Sequence, residues 1–165
     1  MAQPDVNGPV TLSVLDRLID TDPKHNAEAP LTRPQSLRQL KAALKRDLEW
    51  LLNTRRTIDP APEGARETNR SVYHYGFPDL CSKSVLSSKD QNDIVREMES
   101  AITLFEPRLK RAKVRMEVVE NSFNTLRFVI EGLLCMDPAP EPVRFDTVLE
   151  VGKATYEIKG EDLAR

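Results

Sequence analysis

The chain has 165 residues, 39% of them apolar and 30% charged, with a formal net charge of -2. That length supports one domain with a real core, and the charge balance gives no global bias toward nucleic acid. No apolar run approaches the roughly 20 residues of a membrane helix, and no basic start leads into an apolar core as in a signal peptide.

Residues 1–11 are polar, with Pro4 and Pro9, and read as a flexible arm. Leu12, Leu15, Leu18 and Ile19 then make a short helical stripe with Ser13 as its cap. So short a helix does not stand alone, so its apolar face must dock on the same domain or on a partner. Residues 20–35, with Pro23, Pro30 and Pro34, form a linker or covering segment, and His25 within it reads as a solvated loop histidine.

The strongest helix follows. Ser36 is expected to cap it and Gln39 to complete a capping box. Leu37, Leu40, Leu44, Leu48, Leu51 and Leu52 mark one face to about Asn53. Around that stripe lie Arg33, Arg38, Lys41, Lys45, Arg46, Arg55 and Arg56, against only Asp47 and Glu49. These read as a solvated polar face, with a basic surface for an acidic partner as the alternative. Nucleic acid is the weaker option, because Trp50 is the one aromatic there and no recognised binding motif accompanies it.

Residues 57–71 hold Pro60, Pro62 and Gly64 and read as a surface loop. Tyr73, Tyr75 and Phe77 then crowd into Ser71–Leu80, where Gly76 and Pro78 demand a particular turn. Rings on such a loop fold back over the core or form a contact surface. His74 between the tyrosines has no acidic or nucleophilic neighbour in sequence. Cys81 and Cys135 are far apart, lack metal spacing and read as reduced thiols.

Ile94, Met98, Ala101, Ile102 and Phe105 repeat at helical spacing, with a capping box expected from Ser88 to Gln91. Pro107 ends that helix, since it has no N–H to donate and restricts the residue before it. The period then drops to two at Val114, Met116 and Val118. Glu106 and Arg108, two apart in extended chain, point to the same side and meet each other or one target. Phe123–Met136 reads as a second strand, paired through a turn at Glu120-Asn121-Ser122, with Gly132 as a bulge. Pro138, Pro140 and Pro142 are expected to block regular pairing. Residues 143–151 and 154–158 form a hairpin around Gly152-Lys153, whose open edge is able to accept a strand from another chain.

Glu106 is the only acid singled out for hydrolytic chemistry, and Arg108 beside it opposes the raised pKa a general acid needs. No Ser-His-Asp signature, Gly-rich phosphate loop or zinc spacing is present in the sequence.

Phe105-Glu106-Pro107-Arg108-Leu109, set between helix and strand after Asn69-Arg70-Ser71-Val72 and Tyr75-Gly76-Phe77-Pro78-Asp79, resembles the baseplate wedge family of contractile tails. Phage members of that family were once labelled lysozyme-like. The Ser36-Leu37-Arg38 start and Asn53-Thr54-Arg55-Arg56 end of the long helix are similar to its type VI secretion subfamily, TssE. The resemblance covers roughly residues 30–160. It implies an α+β fold: a small mixed domain with two to three helices on an antiparallel sheet and a C-terminal β-hairpin. The domain would span 31–160, after an arm at 1–30 with its docking helix and before a tail at 161–165. No enzymatic activity and no cofactor is implied. The implied partners are the wedge proteins TssF and TssG, the baseplate protein TssK and sheath subunits, with no nucleic acid and no direct membrane insertion. The implied location is the bacterial cytoplasm, in a baseplate docked at the inner membrane. Glu106, Pro107 and Arg108 would contact the bundle of partner helices. The hairpin, through Phe145, Leu149, Tyr156 and Ile158, would template the sheath by strand addition. The alternative reading is a peptidoglycan-cleaving, lysozyme-like hydrolase.

Overall fold

Ser13 caps the short helix α1 (Val14–Leu18) as its sequence predicts, accepting from the Asp16 N–H. The structure, a computed structural model, describes residues 8–19, 24, 30–59, 61–80, 83, 87–118, 125–150 and 155–161. His25, Cys81, Phe123, Glu120-Asn121-Ser122 and Gly152-Lys153 lie outside the described residues.

The long helix α2 (Arg33–Asn53) starts earlier than expected, because Thr32 and Gln35 form its capping box and Pro34 fits the first turn. Ser36 is instead buried inside the first turn. Its hydroxyl accepts the Val10 N–H at 2.8 Å and donates to the Arg33 carbonyl. The arm is therefore tied to the domain at Val10, itself a core residue, and the Arg33 guanidinium adds a bond to the Gly8 carbonyl. The third helix, α3 (Ser88–Phe105), is capped by Ser87, one residue before the expected position. Of the residues its periodicity predicts, Ile94, Met98, Ala101 and Ile102 are buried, and Phe105 packs half-buried against the core. No helix among the described residues is long and apolar enough to cross a membrane.

Among the described residues, four antiparallel strands follow in chain order: β1 (Leu109–Val118), β2 (Thr125–Leu134), β3 (Glu141–Glu150) and β4 (Thr155–Glu161). Among the described residues the fold is thus α+β, three α-helices with a four-stranded sheet ending in a hairpin. Leu126, Phe128 and Ile130 of β2 face the core with Leu44, Leu48, Met98 and Ile102 of the helices. Full burial of each such side chain stabilises the fold by roughly 1.5–3 kcal/mol. The opposite face carries a lattice of cross-strand ion pairs, in which Arg127 meets Asp146 at 2.7 Å and Arg115 meets Glu131. Val129 is buried beneath that lattice.

Gly132 is not bulged. Its own register with Val143 is unbroken, and the irregularity lies across from it in β1, between Lys110 and Lys113. Arg111 there takes the left-handed φ of 53°. Gly132 lets β1 approach closely, since a Cβ at that position would stand 2.9 Å from Leu109 Cγ and 3.1 Å from the Lys110 carbonyl oxygen. Pro142 does not block pairing either, since it sits inside β3 in register with Leu133.

Phe145, Leu149, Tyr156 and Ile158 are core residues, each at most 5% exposed. Their alternation puts them on the helix-packed face, so their side chains are not presented to another chain. The hairpin's outer edge is also not open along its length. The Tyr156 N–H donates to Asn53 Oδ1 (2.8 Å), Asn53 Nδ2 donates to the Tyr156 carbonyl (2.9 Å), and the Ile158 N–H donates to Glu49 Oε1 (3.0 Å). At the other edge of the sheet the Val114 N–H donates to Glu99 of α3. Helix side chains thus occupy backbone groups at both edges, a common protection against edge-to-edge pairing.

Candidate functional site

The elbow between α3 and β1 is fixed by its backbone first. The Glu106 N–H closes the helix on the Ile102 carbonyl (2.8 Å). The Leu109 N–H donates to the Glu106 carbonyl (3.1 Å), making a turn with Pro107 at its second position, where its fixed φ is pre-set. The Cys135 N–H then ties the Arg108 carbonyl to the end of β2 at 2.7 Å.

On this frame Glu106 and Arg108 meet each other. Arg108 Nε donates to Glu106 Oε1 at 2.7 Å, and Nη2 donates to Oε2 at 2.6 Å. Glu106 is only 5% exposed, so both of its oxygens are committed to this fork. Arg108 Nη2 also reaches Asp47 Oδ2 of α2 at 2.5 Å. Donating to the Glu106 carboxylate raises the Arg108 pKa above its ordinary value; burial opposes this, and Asp47 adds to it. Such charge-assisted bidentate pairs hold their geometry tightly.

Asp47, one of only two acids on a basic helix, is the hub of the site. Arg46 donates to it at 2.9 Å and also bridges to Asp16 of α1 at 2.9 Å. The Arg46 guanidinium lies 5.0 Å from the Trp50 ring centre, within cation–π range. Charges therefore alternate along Asp16, Arg46, Asp47, Arg108 and Glu106. Burial pushes the Asp16 carboxyl up, but the Ser13 hydroxyl and Arg46 outweigh it and hold it below its ordinary value. The one available signal for Asp47 and Trp50 was their i,i+3 spacing beside Leu51, which places them on one helix side.

Asp47, Trp50, Leu51, Tyr75, Phe105, Glu106, Pro107 and Arg108 line a pocket of about 300 Å³. Tyr75 meets Phe105 edge-on at 5.2 Å between ring centres. Burial, together with the nearby Asp47 and Glu106 charges, raises the Tyr75 pKa. The aromatic loop reaches this position because Gly76, at φ 108°, lets the Phe77 N–H donate to the Thr54 carbonyl at 2.8 Å. Phe77 itself folds into the core, as a ring on such a loop is expected to do. Trp50 stays 55% exposed at the pocket rim.

The basic stretch of α2 does not form a free cationic surface. Lys41 pairs with Glu141, Arg46 with Asp16, Arg55 with Asp79 and Arg56 with Glu97. Arg33 donates to the Gly8 and Asp137 carbonyls. Among the described residues no group of three His, Cys, Asp or Glu is placed to hold a metal ion. Of the predicted stripe, Leu12 packs half-buried against the core, whereas Leu15, Leu18 and the C-cap residue Ile19 are at least half exposed, so the stripe docks on the domain only at its start.

A comparison with curated proteins finds no match. A family profile, that of the baseplate wedge protein gp25, matches residues 38–139. The matched span takes in most of α2, the aromatic loop, α3, the elbow and β1–β2, and stops just before the β3–β4 hairpin. The chain belongs to the baseplate wedge protein gp25 family, whose role in a baseplate is structural.

Proposed function

We propose that this chain is the TssE-type wedge subunit of a type VI secretion baseplate, in the bacterial cytoplasm and docked through that baseplate at the inner membrane. The elbow pocket is where it meets the wedge proteins TssF and TssG, with TssK alongside in the same assembly. One observation carries this reading. The elbow is a pre-formed platform, locked by the Glu106–Arg108–Asp47 network, that leaves Trp50 exposed beside an aromatic-lined pocket. A rigid pocket with an exposed tryptophan is the usual anatomy of an interaction hot spot. The exposed stripe of α1, tied beside it through Asp16 and Arg46, extends the same surface.

The hairpin is the second contact. In this reading it templates the first sheath subunits by strand addition along β4, through its backbone, because its apolar side chains are occupied in the core. No chemical turnover is involved. The test is capture of TssF and TssG from cells by the tagged protein and by its Trp50→Ala variant. Capture by the wild type, reduced at least about tenfold by the variant, is expected of a hot-spot residue. Equal capture by both proteins removes the elbow pocket from the interface.

A further inference from the structure

The side chains at the β4 edge imitate a strand. In an antiparallel sheet, a hydrogen-bonded pair of residues exchanges two N–H···O bonds. Asn53 makes that exchange with Tyr156: its Oδ1 accepts the Tyr156 N–H, and its Nδ2 donates to the Tyr156 carbonyl. Two residues on, Glu49 Oε1 takes the Ile158 N–H as a neighbouring strand's carbonyl would. Tyr156 and Ile158 therefore direct these backbone groups away from β3, with which they are paired through Leu149 and Thr147.

We infer that the β4 edge is a strand-acceptor site held closed in the free protein by Asn53 and Glu49, which an incoming extended segment displaces. This rests on the strand-addition reading above and adds the device that keeps the site from pairing prematurely. Asn53 is exposed and Glu49 is half-buried, so both can swing out into water. Exchanging their bonds for those of a peptide strand swaps like for like, so displacement costs little net hydrogen bonding. Burying the Asn53 amide in the core would have sealed the edge for good. The incoming segment runs beside Glu157, which is exposed on the outer face, so a basic residue at that position suits it.

The test uses the full chain and a blocked seven-residue peptide alternating valine and lysine as the strand probe. Backbone amide exchange at Tyr156 and Ile158 and peptide affinity are measured in the wild type and four variants. In the Glu49→Ala/Asn53→Ala double variant both amides should exchange at least about tenfold faster, and the peptide should bind at least about tenfold tighter. Glu49→Gln keeps its acceptor and should behave as wild type. Asn53→Asp keeps the side chain's size but sets a carboxylate oxygen against the Tyr156 carbonyl, so it should open the edge; it carries the test if the double variant does not fold. Asn53→Ala alone should fall between wild type and the double variant. If the wild type already binds the peptide as tightly as the opened variants, the guarding role is overturned while strand acceptance stands. If the amides are freed and no variant binds the peptide, strand acceptance itself is overturned.

Discussion

Replacing Arg108 with alanine removes the cation from a nearly buried carboxylate. The Glu106 side chain is 6% exposed, whereas those of Arg108 and Asp47 are 23% and 25% exposed. Asp47 is therefore the readier of the two carboxylates to rehydrate in the variant. Breaking a buried pair by removing one partner costs about 3–5 kcal/mol, and the partial exposure of Arg108 puts this case near the low end, at about 3 kcal/mol. With a urea m-value of about 2 kcal/mol/M, the unfolding midpoint should fall by about 1.5 M. Glu106→Gln removes the charge and keeps the shape. The double variant Glu106→Gln/Arg108→Ala should therefore lose clearly less than the sum of the two single losses, with a coupling of at least about 1 kcal/mol. Urea unfolding of the four proteins closes this cycle. Additive losses, or an unchanged midpoint for Arg108→Ala, would show that the elbow is not held by this pair.

Gly76→Ala forces a left-handed φ on an L residue and drives its Cβ into the Thr54 carbonyl. It should lower stability by about 3 kcal/mol, roughly 6–12 °C in Tm by calorimetry, and an unchanged Tm would refute the tight approach of loop to helix. Asp16 has a folded pKa below its ordinary 3.8. Its contribution is therefore present above that value and lost as pH falls through the lowered one. An NMR titration should place the carboxyl midpoint below 3.8, and a midpoint above it would mean that Arg46 does not hold α1.

Much of this architecture is legible along the chain. The 3.6 period of α3, its stop before Pro107 and the switch to period two are local signals, and the structure follows them. Both helix starts fall earlier than expected for local reasons that compete. Thr32 outranks Ser36 because the Ser36 hydroxyl is engaged by Val10, 26 residues away in sequence. The alternation that identified β3 and β4 also decides the place of Phe145, Leu149, Tyr156 and Ile158. Apolar residues on one face of a half-covered sheet go inward, so a contact role for those side chains conflicted with the very pattern that revealed the strands. Gly132 was visible as an anomaly, but sequence does not say which of two paired strands carries the bulge. The hub of the site was beyond reach for a plainer reason. Asp47 meets Arg108 across 61 residues, and no local period encodes that meeting. The same holds for Asn53, which reaches Tyr156 across 103 residues.

The most direct measurement places a photoreactive benzoylphenylalanine at Trp50, which is exposed and outside the ion-pair network's hydrogen bonds, and irradiates the assembled baseplate. The elbow-platform account predicts a cross-link from position 50 to TssF or TssG, and no cross-link to either of these two proteins from the same probe at the exposed outer-face position Glu157. Full assembly with no cross-link to either wedge protein from position 50 would contradict it.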